Sequence, residues 1–201
     1  MPASALLLDD AIGVDEAGRG PWAGPVVVAA VLLDPTLPIQ GLGDSKALSA
    51  RRRHALFPII QEQALAHSIV FVHATDIDAS DILRATFRGM CQATANICIP
   101  THLARIDGNL IPPDFPCRAE TVVKGDAKVA AIAAASILAK VARDQYMEAL
   151  EQRWPGYGFA QHKGYGTAAH QAALKQLGPC EEHRASFKPI AKLLAARSSA
   201  A

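Results

Sequence analysis

Gly13-Val14-Asp15-Glu16-Ala17-Gly18-Arg19-Gly20-Pro21 is the stretch on which the reading of this chain turns. Two adjacent carboxylates stand at the end of a short apolar run, Ala11 to Val14. A Gly-Arg-Gly turn and Pro21 follow, and then a second apolar run from Val26 to Leu33. Continuous apolar character predicts two strands buried on both faces and joined by the glycine-rich turn. Carboxylates at a strand end suit hard divalent cations, which take oxygen ligands. A Gly-Arg-Gly turn lets backbone amides and a guanidinium come close to a phosphate. Metal and phosphate recognition side by side point to phosphodiester chemistry.

Beyond this stretch, strands alternate with helices. Pro35, Pro38, Gly41 and Gly43 mark a loop. Ser49 is a cap for a helix reaching about Ala66. A strand is expected over Ser68 to His73. A helix opened by Asp78 or Ser80 then runs to about Ile97. Short strands at Ala104–Ile106 and Thr121–Val123 each lead into an Asp, at Asp107 and Asp126. A long helix is expected from Ala127 to about Gln152. A loop rich in glycine and aromatics spans Trp154 to Thr167, and helices capped by Thr167 and opened by Pro189 close the chain. This order predicts an α/β sandwich with a helical C-terminal part from about residue 150, all in one domain.

Composition narrows the field. Half of the 201 residues are apolar, so a full core can be buried. The apolar runs are too short to span a bilayer, and Met1 to Asp10 lacks a basic leader. The four cysteines form no CxxC pair and read as reduced thiols of a cytoplasmic protein. A net charge of +1 gives no global nucleic-acid signal, so any such binding must use a local patch.

Asp15, Asp107 and Asp126 each sit where a strand gives way to a turn, and ligands of α/β sheets gather beyond strand ends. Taken singly, Asp126 reads as a helix N-cap and Asp107-Gly108 as an ordinary turn. Together with Glu16 they make four carboxylates, which repel unless divalent cations neutralise them. His162, His170 and His183 are spaced for neither a zinc site nor a catalytic triad. Ser136 reads as packing, Asp144 as structural, and Arg51-Arg52-Arg53 as a solvated helix face. His183 and Arg184, near Phe187, are expected to tie down the C-terminal segment.

The ordered set of motifs resembles the bacterial ribonuclease HII family, the type 2 ribonucleases H. Its pieces are Asp15 to Pro21, Asp44-Ser45-Lys46, Asp107-Gly108-Asn109, Lys124-Gly125-Asp126, Ala134 to Val141, Arg143-Asp144, His162 to Thr167 and His183 to Phe187. The resemblance covers about Gly13 to Ile190. It implies a ribonuclease H-like three-layer α/β fold with a mixed central sheet and a helical C-terminal extension. The implied activity is endonucleolytic cleavage of RNA in RNA/DNA hybrids and of single ribonucleotides embedded in duplex DNA, leaving 5′-phosphate and 3′-hydroxyl ends. Asp15, Glu16, Asp107 and Asp126 would hold two divalent cations, Mn²⁺ or Mg²⁺, with Asp15 expected to bridge them. Gly18, Arg19 and Gly20 would sense the ribonucleotide, and Tyr165 would stack on the sugar beside the scissile phosphate. Lys46 and Lys163 are the favoured phosphate contacts. Lys124, Lys128 and Arg143 are further candidates.

The related ribonuclease HIII group carries a separate N-terminal domain; about ten residues precede the motif here, which disfavours it. Ala195 to Ala201 shows no Gln-hydrophobic-aromatic clamp-binding motif, and the protein is expected to act as a monomer. A junction resolvase of the same fold would need neither Tyr165 nor the Gly-Arg-Gly turn. A non-enzymatic nucleotide-binding module would leave Asp107 and Asp126 without a role.

Overall fold

The first strand, β1 (Ile12–Ala17), occupies the middle of the sheet and extends through both acids rather than stopping at Val14. The computed structural model describes residues 6–43, 45 and 47–198. β1 runs antiparallel to β2 (Val26–Leu32), with the pairing continuing to Ala17 against Val27. That ladder carries the strand past the last apolar residue. β2 pairs antiparallel with β3 (Ala66–Val72). On its other side β1 runs parallel to β4 (Leu103–Asp107), which runs parallel to β5 (Arg118–Val122). The mixed order is β3-β2-β1-β4-β5.

Alternating side chains commit the two sheet faces to different helices. Val27, Ala29 and Val31 pack with Leu56 and Ile60 of α1 (Ala50–Gln63) and with α4 (Ala130–Arg153). Ile12, Val14, Val28, Ala104 and Ile106 pack with Ile77 of α2 (Ala74–Asp78) and with Ala85, Met90 and Ala93 of α3 (Ile82–Ala95). Three layers result. A separate core joins the end of α4 to α5 (Phe159–His162), α6 (Ala168–Leu177) and α7 (Lys188–Ser198), around Phe159, Tyr157, Leu174 and Ile190.

The caps explain where sequence expectation holds and where it shifts. Ser49 and Thr167 accept from the amides of Arg52 and His170, as their residue types predict. The α3 cap is Asp81, one residue beyond Ser80, accepting from Arg84 N at 2.9 Å. The short α2 fills what reads as a single helix start. Asp126 is not the N-cap of α4: it sits in a 3-10 turn, Gly125–Ala127, and α4 opens later with Val129 in the capping position. An N-terminal arm docks against this same connection, with Leu7 donating to Lys128 O at 2.7 Å and accepting from Ala130 N at 2.8 Å. Among the described residues no helix is long and apolar enough to cross a membrane. Of Ala195 to Ala201, residues 195–198 form the end of α7 and 199–201 lie outside the described residues.

Candidate active site

Register brings the first two acids together. Val14 pairs with Ile106, so Asp15 and Asp107 follow one position later on the two adjoining parallel strands. On β1, Ile12 and Val14 point to the α3 side, which leaves Gly13 and Asp15 facing α4. There Asp15 is buried, bonded to Ser136 of α4, and accepts from the Glu16 amide at 2.7 Å. Ser136 also shares a 2.6 Å bond with Ser45. Burial, then the neighbouring charges of Glu16 and Asp107, hold the Asp15 pKa well above the usual carboxylate range. Asp107 accepts from Gly125 N at 2.7 Å, which fastens the turn carrying Asp126. Asp126 itself is only 7% exposed. Among the described residues, no three acids, histidines or cysteines are grouped closely enough to hold a metal ion as they stand.

A cleft of about 500 Å³ opens beside these acids. It is lined by Asp15, Glu16, the turn Gly18-Arg19-Gly20, Ser45, Arg53, Ser136, Lys140, Arg143 and Tyr165. Arg19 reaches back to Glu16 at 3.6 Å. The Tyr165 ring borders the turn, lying 3.7 Å from where a Cβ on Gly20 would stand, and Tyr165 is 47% exposed. A larger apolar groove of about 750 Å³ runs between α3 and the Pro113–Pro116 loop, remote from this chemistry; its lining includes none of the four carboxylates.

Several side chains have duties that sequence reading did not give them. Arg143, a phosphate candidate by sequence, is buried and donates to the carbonyls of Pro25, Ala23 and Lys163 at 2.9, 3.1 and 3.0 Å. It braces the loop that leaves the turn. Gly18, at φ +95°, leaves room for it: a Cβ there would lie 1.9 Å from Arg143 Nε. Lys163 lies outside the cleft lining, with its ammonium 2.7 Å from Glu148. Lys46 and Asp44 lie outside the described residues. Arg53 is no solvated bystander, since it donates to Ser45 O and Leu48 O and lines the cleft. Ser136 is more than packing, because it bonds Asp15. Asp144 pairs with Lys140 at 2.7 Å. The histidines spread along the sequence come together: His162 stacks on His170 at 4.4 Å, and His170 Nε2 lies 3.0 Å from His183 Nε2.

A mixed five-stranded sheet between helical layers, with acids on its central strands and a glycine turn beside them, defines a nuclease of the ribonuclease H fold. The structure of ribonuclease H2 from Pyrococcus horikoshii OT3 superposes with a TM-score of 0.78 at 26% identity, over 92% of this chain and 97% of that one. A chain of the PCNA:RNase HII complex from Archaeoglobus fulgidus gives 0.75 at 26% identity, over 88% and 94%. The family model for ribonuclease HII matches residues 12–190, and a ribonuclease HII of Laribacter hongkongensis is 55% identical across 91% of this chain and 93% of its own length. The chain belongs to the ribonuclease HII family.

Proposed function

We propose that the protein is an endonuclease that hydrolyses the RNA strand of RNA/DNA hybrids and cuts 5′ of single ribonucleotides embedded in duplex DNA. The observation that carries this reading is the sharing of one cleft by Asp15, Glu16 and the turn with Tyr165, with Asp107 on the adjoining strand beside it. Only the 2′-OH separates RNA from DNA at one nucleotide, and reading it needs groups at close range. The turn presents backbone without a Cβ at Gly18 and Gly20, and Tyr165 offers an exposed ring at its side.

Asp15, Glu16, Asp107 and Asp126 would hold two divalent cations, Mg²⁺ or Mn²⁺. Their all-oxygen donor set suits such ions. The raised Asp15 pKa fits too, because crowded acids are short of positive charge. Bound divalent cations supply Lewis acidity, lowering the pKa of water and stabilising the leaving oxygen. The protein's own part is to orient. Ser136 and the Glu16 amide fix the Asp15 carboxylate, and the Asp107–Gly125 bond fixes the Asp126 turn. Lys46, and Lys163 on release from Glu148, are the proposed phosphate contacts. We take the whole chain as one catalytic domain acting as a monomer.

The test is cleavage of labelled duplexes with one ribonucleotide, with a full RNA strand, or with DNA only. Cutting of the first two, lost in EDTA and restored by Mg²⁺ or Mn²⁺, is the expected result. Equal cutting of the all-DNA duplex would favour a junction-resolvase type of activity and defeat the proposal.

A further inference from the structure

Arg184 is fully buried, yet its hydrogen bonds among the described residues all go to backbone carbonyls. The guanidinium reaches Gly18 O at 2.6 Å, Arg19 O at 2.9 Å and Gly24 O at 2.8 Å, and sits over the Phe187 ring. Burying such a cation is costly, and here the carbonyls of the Gly18–Gly24 segment compensate it, helped by the negative charge of Asp78. Turning those carbonyls inward leaves the other side of the turn to the cleft.

The neighbouring residue secures the tyrosine. His183 Nε2 meets His170 Nε2 at 3.0 Å, and His170 Nδ1 meets Tyr165 O at 3.0 Å. The backbone joins the same parts: Arg184 N donates to Trp22 O, Trp22 N to Gly164 O, and Gly24 N to Glu182 O. Consecutive residues of the C-terminal segment thus grip both halves of the reading surface. Asp78 of α2 anchors that segment from outside, accepting from Ala185 N at 2.8 Å and Ser186 N at 2.9 Å.

We propose that Arg184 is a positioning residue for ribonucleotide recognition: with His183 and His170 it sets the spacing between the Gly18–Gly20 turn and Tyr165. This rests on the function proposed above. Arg184 acts through the turn and touches no substrate.

The experiment measures discrimination rather than activity. The affinity of the full chain for a DNA duplex with one ribonucleotide is compared with that for the same all-DNA duplex, in metal-free buffer. Arg184→Lys keeps the charge but loses the three-way fork. It should lower the discrimination ratio by about tenfold to a hundredfold, the scale of a small misplacement, while affinity for the all-DNA duplex holds. Asp78→Ala, which slackens the segment from outside the core, should move the ratio the same way by less, and it decides the matter if Arg184→Lys fails to fold. A folded Arg184→Lys with the wild-type ratio, or with both affinities lowered equally, overturns the inference. So does a wild-type ratio in Asp78→Ala when Arg184→Lys is unfolded. A wild-type protein that does not discriminate sinks the substrate reading itself, and this inference with it.

Discussion

Asp126 and Tyr165 differ in burial, and so in what their replacement should reveal. Asp126 is nearly enclosed, and its role as a helix cap is excluded by α4 beginning at Ala130. Asp126→Asn keeps shape and volume, so the fold and duplex binding should persist. Cleavage should fall by roughly two orders of magnitude or more, as when one member of a catalytic set is removed. Near-normal turnover of this variant at saturating Mg²⁺ would remove Asp126 from the ligand set. Tyr165 is half exposed, so its loss should change stability by only about 0.5 kcal/mol. Stacking is worth about 1–3 kcal/mol per aromatic contact with nucleic acid. Tyr165→Ala should therefore cut embedded ribonucleotides about tenfold or more slowly with an almost unchanged Tm, and Tyr165→Phe should keep most activity. Turnover and thermal unfolding of both variants separate a stacking ring from a packing one. The two acids at 15 and 16 and the glycine turn were legible in sequence because their types are unusual at a strand end. Arg143 was not, since arginine is seldom fully buried and its type alone signals a surface; Arg184 read as a tie for the C-terminal segment, without its hold on the glycine turn. Only the third dimension brings the carbonyls of Gly18 to Pro25, more than a hundred residues away, within reach.

Among the elements, β1 and α4 pack tightly. Gly13 faces the first turn of α4 so tightly that a Cβ would lie 2.1 Å from the carbonyl carbon of Ala131 and 2.2 Å from Ile132 N. The alanines of that turn, Ala130, Ala131, Ala133, Ala134 and Ala135, are all buried and allow the helix to come this near. Neither partner is a flexible side-chain end. Gly13→Ala must move backbone and should cost at least about 1–3 kcal/mol, the usual range for overpacking. Urea unfolding would measure this, and an unchanged midpoint would mean that the helix is free to shift. Because Asp15 lies on the same face two residues on and meets Ser136 of that helix, activity should fall as well. The alternation of strands and helices and the capping residues Ser49 and Thr167 made most elements readable. Helix starts at Asp81 and Ala130 were not, since Asp78 and Asp126 are equally good caps by type and only tertiary packing chooses. Strand β1 read short because its polar end is held by pairing, which composition does not record.

At the scale of the molecule, the histidine stack couples folding to pH. Burial lowers the pKa of both His170 and His183 from the ordinary 6.5 to about 4. In the unfolded chain these rings take up protons near pH 6.5, whereas in the folded protein they stay neutral until about pH 4. The unfolded state thus binds more protons in that window, and stability falls as pH drops through it. Each pKa unit corresponds to about 1.4 kcal/mol, so a loss on the order of 2–3 kcal/mol for each of the two rings is expected across the window. Unfolding midpoints from pH 7.5 to 4.5 should show the decline, and His170→Gln should flatten it. An equally steep decline in that variant would assign the effect to other groups. The stack also joins the C-terminal helices to the loop of Tyr165, so the extension is part of the cleft's frame.

The first described residues are also wired to the turn that carries Asp126, one of the candidate acids. Through its two backbone bonds to Lys128 and Ala130, Leu7 works as a lanyard on the connection just past Asp126. Sample handling then becomes a variable. Exopeptidase nibbling of a purified preparation, or a bulky affinity tag set close to Leu7, would slacken that connection while leaving the sheet and its helices whole. Batches of equal purity and equal circular dichroism would differ in specific activity according to how much of the arm survives. Mass spectrometry of each batch, set against its turnover, should show activity dropping once trimming passes Leu7. Full turnover in a chain that starts at Ala11 would show that the arm is dispensable.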